Sequence, residues 1–423
     1  MNFQENSFLN TFILLFREIL FFINIFLKYL FWFLRNFYWA IIFLVLAKIY
    51  FNYRSAYLKK KEKEEKEIKD WTLFEIKITK DTQGGPQLME NFLNHLKGFN
   101  QGYFILELVG IKRELRFYFR FPTMYQKLIE VALYSSFPKI VFEKVDDYFS
   151  FLPPLIPNKE YDLWGTEFVL EKSDPYPIKT YSFFNETPIE KTESLASFAE
   201  IVNKLNEKEY YVIQIIFRPL SADEEKDFSE KAKSEEDVVL GKKVPSKNIT
   251  FKDWAVAFII NLLTGAFREP VWPQEPEKKE PPPPSFSQQE IVNLIERKLS
   301  KKCFETGIRV IYISPKNIFD EINTLGFLSY FNQFDFKNLN SFKVNDTSTT
   351  EAVGRFFVER RTFLKKLDFY KKTLKRELPS MRFVLNSEEL STIYHFPSGE
   401  TKISAIRQIL FKKGEPPSFL PTE

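Results

Sequence analysis

Cysteine, histidine and methionine are scarce in this chain of 423 residues: one Cys, two His and four Met. A single Cys makes no internal disulfide, which excludes a disulfide framework. Two His and one Cys, far apart, cannot build a His/Cys zinc site without several carboxylates, so no metal is expected. Glycine is also sparse, at 13 residues, which excludes a collagen-like repeat. The phosphate-binding pattern Gly-x-x-x-x-Gly-Lys-[Ser/Thr] is missing, as are Gly-x-Gly-x-x-Gly, Gly-x-Ser-x-Gly and His-Glu-x-x-His. No motif therefore argues for an enzyme or a cofactor. Excess charge is small as well. The formal charge is +4, and residues 1–54 hold five basic against two acidic side chains, leaving +1 for the rest. The slightly basic pI is thus no signature of a DNA-binding surface.

Apolar and aromatic residues are abundant. Hydrophobic residues make up 44% and aromatics 17%, with 48 Phe, so a sizeable packed core is expected. The most apolar stretch is residues 8–53. From Phe37 to Tyr53 its only charge is Lys48, and with Leu30–Leu34 it is long enough to span a bilayer, interrupted by Arg35. Trp32 and Trp39 suit one interface. Residues 8–30, with Arg17, Glu18 and Lys28, read as a first membrane helix or as a helix lying in the interface. Arg54 and Lys59–Lys61 flank the run, which by the positive-inside bias places the remainder at the cytoplasmic face of a cell (inner) membrane. The run 59–69 has Glu62–Lys66 and Glu65–Lys69 at i,i+4 and reads as a solvated helical stalk over 55–70.

From 71 to 150 strand and helix patterns alternate as β-α-β-β-α-β, the order of a ferredoxin-like unit. A weaker second copy follows over 151–348, with a helix at 193–206, a strand at 210–217, a helix through Leu294 and a strand at 308–313. The expected fold class is α+β: an N-terminal transmembrane helix or hairpin, then two tandem ferredoxin-like modules. The second module carries an insertion at 220–285. Within it, 222–247 is charged and expected to be mobile. Residues 251–267 form an apolar island suited to a membrane, a partner or its own core. Residues 269–284 hold seven prolines and read as a stiff linker. Ser285 and Gln288 offer a capping box for the next helix.

The strongest charge feature is 355–382, where ten basic residues face three acidic ones, a net +7. Phe356, Phe363, Leu364, Leu367, Tyr370 and Leu374 supply an apolar face. Such a basic amphipathic helix suits nucleic-acid phosphates, anionic lipid or an acidic partner, with Arg355, Arg360, Arg361, Lys365, Lys366 and Lys372 as contact residues; a solvated outer face is the alternative. Cys303 lies beside Lys301 and Lys302, a setting that can lower a thiol pKa, but with both His distant in sequence it reads as a core or surface thiol rather than a nucleophile. The pairs Asp146–Asp147 and Glu388–Glu389 read as turn and cap residues, and His95 as structural.

Residues 385–397 read Leu-Asn-Ser-Glu-Glu-Leu-Ser-Thr-Ile-Tyr-His-Phe-Pro. This segment resembles one that lies ahead of the motor core in conjugation-type ATPases, including type IV secretion coupling proteins. Shorter pieces, Tyr161–Gly165, Tyr176–Tyr181 and Gly414–Pro421, resemble an uncharacterised bacterial membrane family found beside those motors. The motor domain is missing from this sequence, so ATP hydrolysis is not carried over. The resemblance implies a membrane-anchored scaffold of a type IV secretion-like DNA or protein translocation machine. Its partners would be a separate P-loop ATPase, the membrane, nucleic acid and further copies of itself. Over 349–423, Asn386 and Glu389 would cap a helix whose Leu390, Tyr394, His395, Phe396 and Pro397 form the docking segment. The alternative is a stand-alone nucleic-acid or anionic-lipid binder at the cytoplasmic face.

Overall fold

The computed structural model describes residues 70–99, 101–184, 194–242, 283–336 and 338–399. It also describes Asn261, Ile403, Ala405, Ile406 and a set of residues between Arg17 and Arg54. Two compact units emerge, Met1–Lys69 and Asp70–Glu423. In the first, the described residues are helical, and Phe21, Phe22, Phe26, Phe31 and Trp32 are exposed. Among the described residues, no helix is long and apolar enough to cross a membrane. Lys48 and Arg54 are exposed on helical backbone, while Trp39 lies outside the described residues. So do the apolar island apart from Asn261, all but the last two residues of the proline-rich stretch, and Gly414–Pro421.

Among the described residues the second unit is built on nine strands: β1 Trp71–Lys77, β2 Phe104–Ile111, β3 Glu114–Pro122, β4 Val141–Lys144, β5 Tyr161–Leu170, β6 Tyr210–Pro219, β7 Cys303–Pro315, β8 Phe342–Val344 and β9 Phe383–Asn386. They form one sheet in the order β4-β1-β3-β2-β6-β7-β5-β8, with β9 beside the start of β7, and every pairing is antiparallel. The expected pair of separate modules is therefore corrected to a single sheet, whose order as a whole is not that of a ferredoxin-like unit. The physical reason lies in β2 and β6. All eight residues of β2 are buried, and in β6 only Tyr210 and Arg218 are not. Left as edges, two such apolar strands would expose unpaired backbone, so they pair with each other from Phe104↔Phe217 to Ile111↔Tyr210. The sequence reading missed β5, β8 and β9.

Among the described residues of this unit the helices, in chain order, are α1 Pro86–His95, α2 Gln126–Ser136, the single turn α3 Tyr181–Phe184, α4 Ser194–Lys204, α5 Ala222–Val239, α6 Phe286–Leu299, α7 Leu325–Asn332, α8 Val358–Lys375 and α9 Ser387–Ile393. Alternation along the strands sends Leu106, Leu108, Ile213 and Ile215 into one core with Phe92, Leu133, Phe198, Phe327 and Tyr394 from the helices. Val109, Val212, Ile311 and Leu163 face the other way, against Tyr148, Phe149, Phe369 and Tyr370. The sheet is thus covered on both faces, with α8 on the second.

Residues 222–239, expected to be mobile, are instead the regular helix α5. A capping box between Ser221 and Glu224 starts it, Phe228 and Ala232 are buried, and Arg218 clamps Glu224 at 2.6 Å. Charge alone did not decide this stretch: one apolar stripe, with Phe228 packed near Leu220 and Cys303, suffices to dock it. The expected capping box of Ser285 and Gln288 is present at the start of α6.

Candidate functional site: the basic helix and the polar row beneath it

Helix α8 has two unlike ends. At its start Arg355, Arg360 and Arg361 are exposed. Further on the cations take local partners. Lys365 donates to the carbonyls of Thr349 and Glu351, both at 3.1 Å. Lys366 pairs with Asp162 at 2.8 Å and lies over the Phe319 ring, and Lys372 pairs with Asp368 at 2.6 Å. Of the six cations named from sequence, Arg355, Arg360 and Arg361 are exposed, Lys365 and Lys366 are held by other parts of the fold, and Lys372 pairs along the surface of α8 with its side chain 45% exposed.

The far end of α8 is anchored. Phe369 fits where Gly165 has no side chain; a Cβ there would fall 2.2 Å from the ring. Tyr370 donates to the Pro153 carbonyl at 2.8 Å. Arg376 terminates the helix in the left-handed region, at φ 53° and ψ 41°. It is buried, donates to both Glu107 oxygens at 2.7 and 3.2 Å, and reaches Asp147 at 3.0 Å. Burial disfavours its charge, but Glu107, Tyr148 and Asp147 outweigh that and hold the guanidinium well above its ordinary pKa. Burial likewise works against the Asp147 carboxylate, and the hydrogen bonds from Arg376 win, holding it below its ordinary value.

Beneath this end runs a row of polar residues that cross-strand register places directly opposite one another: Glu75, Tyr118, Glu107, Gln214, Arg309 and Glu167, on β1, β3, β2, β6, β7 and β5. Opposite residues share a face, so the row crosses six strands on the α8 side. Glu107, Gln214, Arg309 and Glu167 are at most 4% exposed. Gln214 donates to Glu107 at 2.8 Å and to the Thr373 carbonyl at 3.2 Å. Arg309 donates to Glu167 at 2.8 Å and to the carbonyls of Lys372 and Glu377 at 3.1 and 2.9 Å. The Lys372 and Thr373 carbonyls at the end of α8, which accept from the amides of Glu377 and Arg376, are thus met a second time by side chains rising from the sheet, and a cation meets the negative end of the helix dipole. The sequence reading missed this row. Its signal was a charged or amide residue flanked by apolar ones within a strand, clearest for Glu107 in β2 and Gln214 in β6 and weaker for Arg309 and Glu167, whose strands hold other polar residues.

The segment expected to dock a partner lies elsewhere, in the first core. Asn386 and Glu389 do form the expected capping box. Leu390, Tyr394 and Phe396 are 0% exposed, His395 is 3% exposed, and Pro397 is buried. The Tyr394 ring meets Phe117 and Phe396, and its hydroxyl donates to the Tyr118 carbonyl at 3.3 Å. His395 Nδ1 lies 3.1 Å from the Ser391 carbonyl. Glu389 pairs with Lys298 at 3.0 Å, both fully buried, and Glu388 pairs with Lys301 at 2.8 Å. The β1–α1 turn clamps the segment's end. Gly85 donates to the Phe396 carbonyl at 2.8 Å, and a Cβ on Gly84 would lie 2.2 Å from that oxygen. The docking assignment of Asn386, Glu389, Leu390, Tyr394, His395, Phe396 and Pro397 is therefore corrected: an apolar helix face that one's own sheet can cover is covered first.

Cys303 is a core thiol, one of the two placements expected, and only the lowered pKa is corrected. Burial pushes its thiol up to about 12, against the nearby Lys298 charge. Asp147 caps the turn Tyr148–Phe151, accepting from the Phe149 amide at 3.1 Å. His95 lines an open cleft of about 440 Å³ with Leu88, Asn91, Asn94, Ser135, Ser136 and Lys302. Among the described residues no cluster of His, Cys, Asp or Glu could hold a metal ion.

The family model for Domain of unknown function (DUF8128) matches residues 51–408, which span the whole sheet, α8 and α9. The chain belongs to that family. No curated protein matches it. Both the buried segment at 386–397 and the basic helix fall within the family domain.

Proposed function

We propose that this protein is a membrane-anchored, non-catalytic scaffold of a type IV secretion-like DNA or protein translocation machine, working beside a separately encoded P-loop ATPase. The observation that carries the non-catalytic part is the way the second unit uses its chemistry. Of its buried carboxylates, Glu107, Glu167 and Glu389 are ion-paired to Arg376, Arg309 and Lys298 of the same framework, and Glu209 accepts hydrogen bonds from Asn206 and Tyr312. Its thiol is buried. Membrane anchorage rests on the apolar run 8–53, and the cytoplasmic-face placement on Arg54 and Lys59–Lys61. The translocation setting rests on the resemblance at 385–397.

The fold is read more finely as two ferredoxin-like halves joined through β2 and β6. Supporting this, β4-β1-β3-β2 and β8-β5-β7-β6 are the same strand order, taken from the two ends of the sheet. A second reading, a stand-alone binder of a polyanion, is favoured by one observation: Arg355, Arg360 and Arg361 are exposed at the start of α8.

The test is made in cells. Alkaline carbonate should leave the full chain in the membrane pellet, and protease added outside intact cells should spare the second unit. Crosslinking should then recover a P-loop translocase. A chain that stays in the membrane but recovers no ATPase supports the stand-alone reading, and release by carbonate overturns the anchor.

A further inference from the structure

We propose that the loop leading into α8 is a wedge that enters the surface of an anionic lipid bilayer, a second membrane contact besides the N-terminal run. The inference rests on the anchorage proposed above. Val353, Phe356 and Phe357 are 88%, 77% and 77% exposed, among the most exposed large apolar side chains described. They are consecutive or nearly so, and Arg355, Arg360 and Arg361 surround them on exposed backbone.

The presentation is built in. Phe357 holds φ 52° and ψ 36°, a left-handed conformation that a bulky residue rarely adopts, and it opens the helix without a side-chain cap. Gly354 holds φ 136° just before it. The loop is tied back to α8 just ahead of the tip: the Ala352 amide donates to Thr362 Oγ1 at 3.1 Å, and Lys365 holds the carbonyls of Thr349 and Glu351. These bonds hold the apolar tip outward instead of letting it fold onto the helix.

The composition selects the occupant. Exposed apolar residues rimmed by cations match the boundary of a bilayer carrying negative headgroups, where rings enter the acyl edge and guanidinium groups meet phosphate. A single-stranded nucleic acid would instead call for ring faces spaced along a groove. Chain connectivity agrees: the second unit begins at Asp70, directly after the first ends at Lys69, so anchoring one keeps the other near the surface.

The experiment uses the full chain with Phe356→Cys, labelled with an environment-sensitive fluorophore. Cys303 is buried and its thiol is pushed up to about 12, so the label goes to position 356. The protein is reconstituted into vesicles of phosphatidylcholine alone or with a third phosphatidylglycerol. A blue shift in the anionic vesicles only, reversed by salt, is expected. Adding Arg355→Gln, Arg360→Gln and Arg361→Gln should weaken the contact about a hundred-fold, since each cation near an anionic surface contributes about five-fold. The same label at Met124→Cys, an exposed position on another part of the unit, should not respond. Equal spectra in both vesicle types overturn the wedge, and so does a shift produced by single-stranded DNA in neutral vesicles. Vesicle flotation of the chain reports the anchor separately, so loss of the wedge and loss of the anchor are distinguishable.

Discussion

The segment 386–397 and the start of α8 share a chemistry, aromatic rings among charged residues, and meet opposite fates. In the first, Tyr394 and Phe396 are fully buried and Glu388 and Glu389 are ion-paired. In the second, Phe356 and Phe357 stand out in solvent beside exposed arginines. What separates them is the neighbourhood each can reach. Residues 386–397 follow β9, which pairs with β7 at the sheet, so the rings land on Phe117 and Phe137. Residues 353–357 precede a helix that is fixed at its other end by Arg376, Phe369 and Tyr370, and nothing described covers them. An aromatic motif thus becomes core or surface according to which strand delivers it.

That contrast breaks most sharply at the buried rings. Tyr394→Ala with Phe396→Ala should destabilise the full chain strongly, by about 3–5 kcal/mol per ring, because each leaves a cavity in a packed core. Thermal unfolding in detergent reads this, and an unchanged midpoint would return the segment to the surface. Next in size is Arg376→Met. It strands the Glu107 carboxylate in the sheet and should cost about 3–5 kcal/mol, much of it recovered when Glu107→Gln is added. Denaturant unfolding of the single and double variants measures the recovery.

Acid should act on the paired carboxylates in between. Arg218 holds Glu224 down to about 2, from its ordinary 4.5, and Glu388 and Asp147 are also held below their ordinary values. A depressed folded pKa contributes stability that is complete above the unfolded value and is lost as pH falls through the folded one. Unfolding midpoints should therefore hold steady above about pH 5 and fall toward pH 2, with a shallower fall in Glu224→Gln. A flat profile over that window would show these pairs to be without effect. The smallest change belongs to Arg360→Gln with Arg361→Gln. Both side chains are exposed, so the unfolding free energy should move by no more than about 0.5 kcal/mol. A large loss there would place the start of α8 in the core after all.

Local elements were legible from sequence because their causes are local. The alternation at 73–78, the helical spacing at 88–96, and the capping boxes at Ser285 and Asn386 depend on residues within a turn or two of one another, and each element stands within about two residues of its pattern. The basic helix was read from its charge and apolar spacing in the same way. β5 was missed because Tyr161–Leu170 has no clean alternation, being buried on both faces from Gly165 to Phe168, and its partners β7 and β8 lie more than 130 residues further on.

What the sequence by itself determined, then, is the menu of strands, helices and caps, together with a conspicuous polar residue in β2 and in β6. Tertiary structure alone decided that β2 and β6 meet, which fused two expected modules into one sheet. It decided that Glu107, Gln214, Arg309 and Glu167 line up under the end of α8, and that a docking motif became core while three arginines stayed outside. The reason is physical: register and burial are set by strands far apart in the chain, and no window of neighbouring residues carries that information.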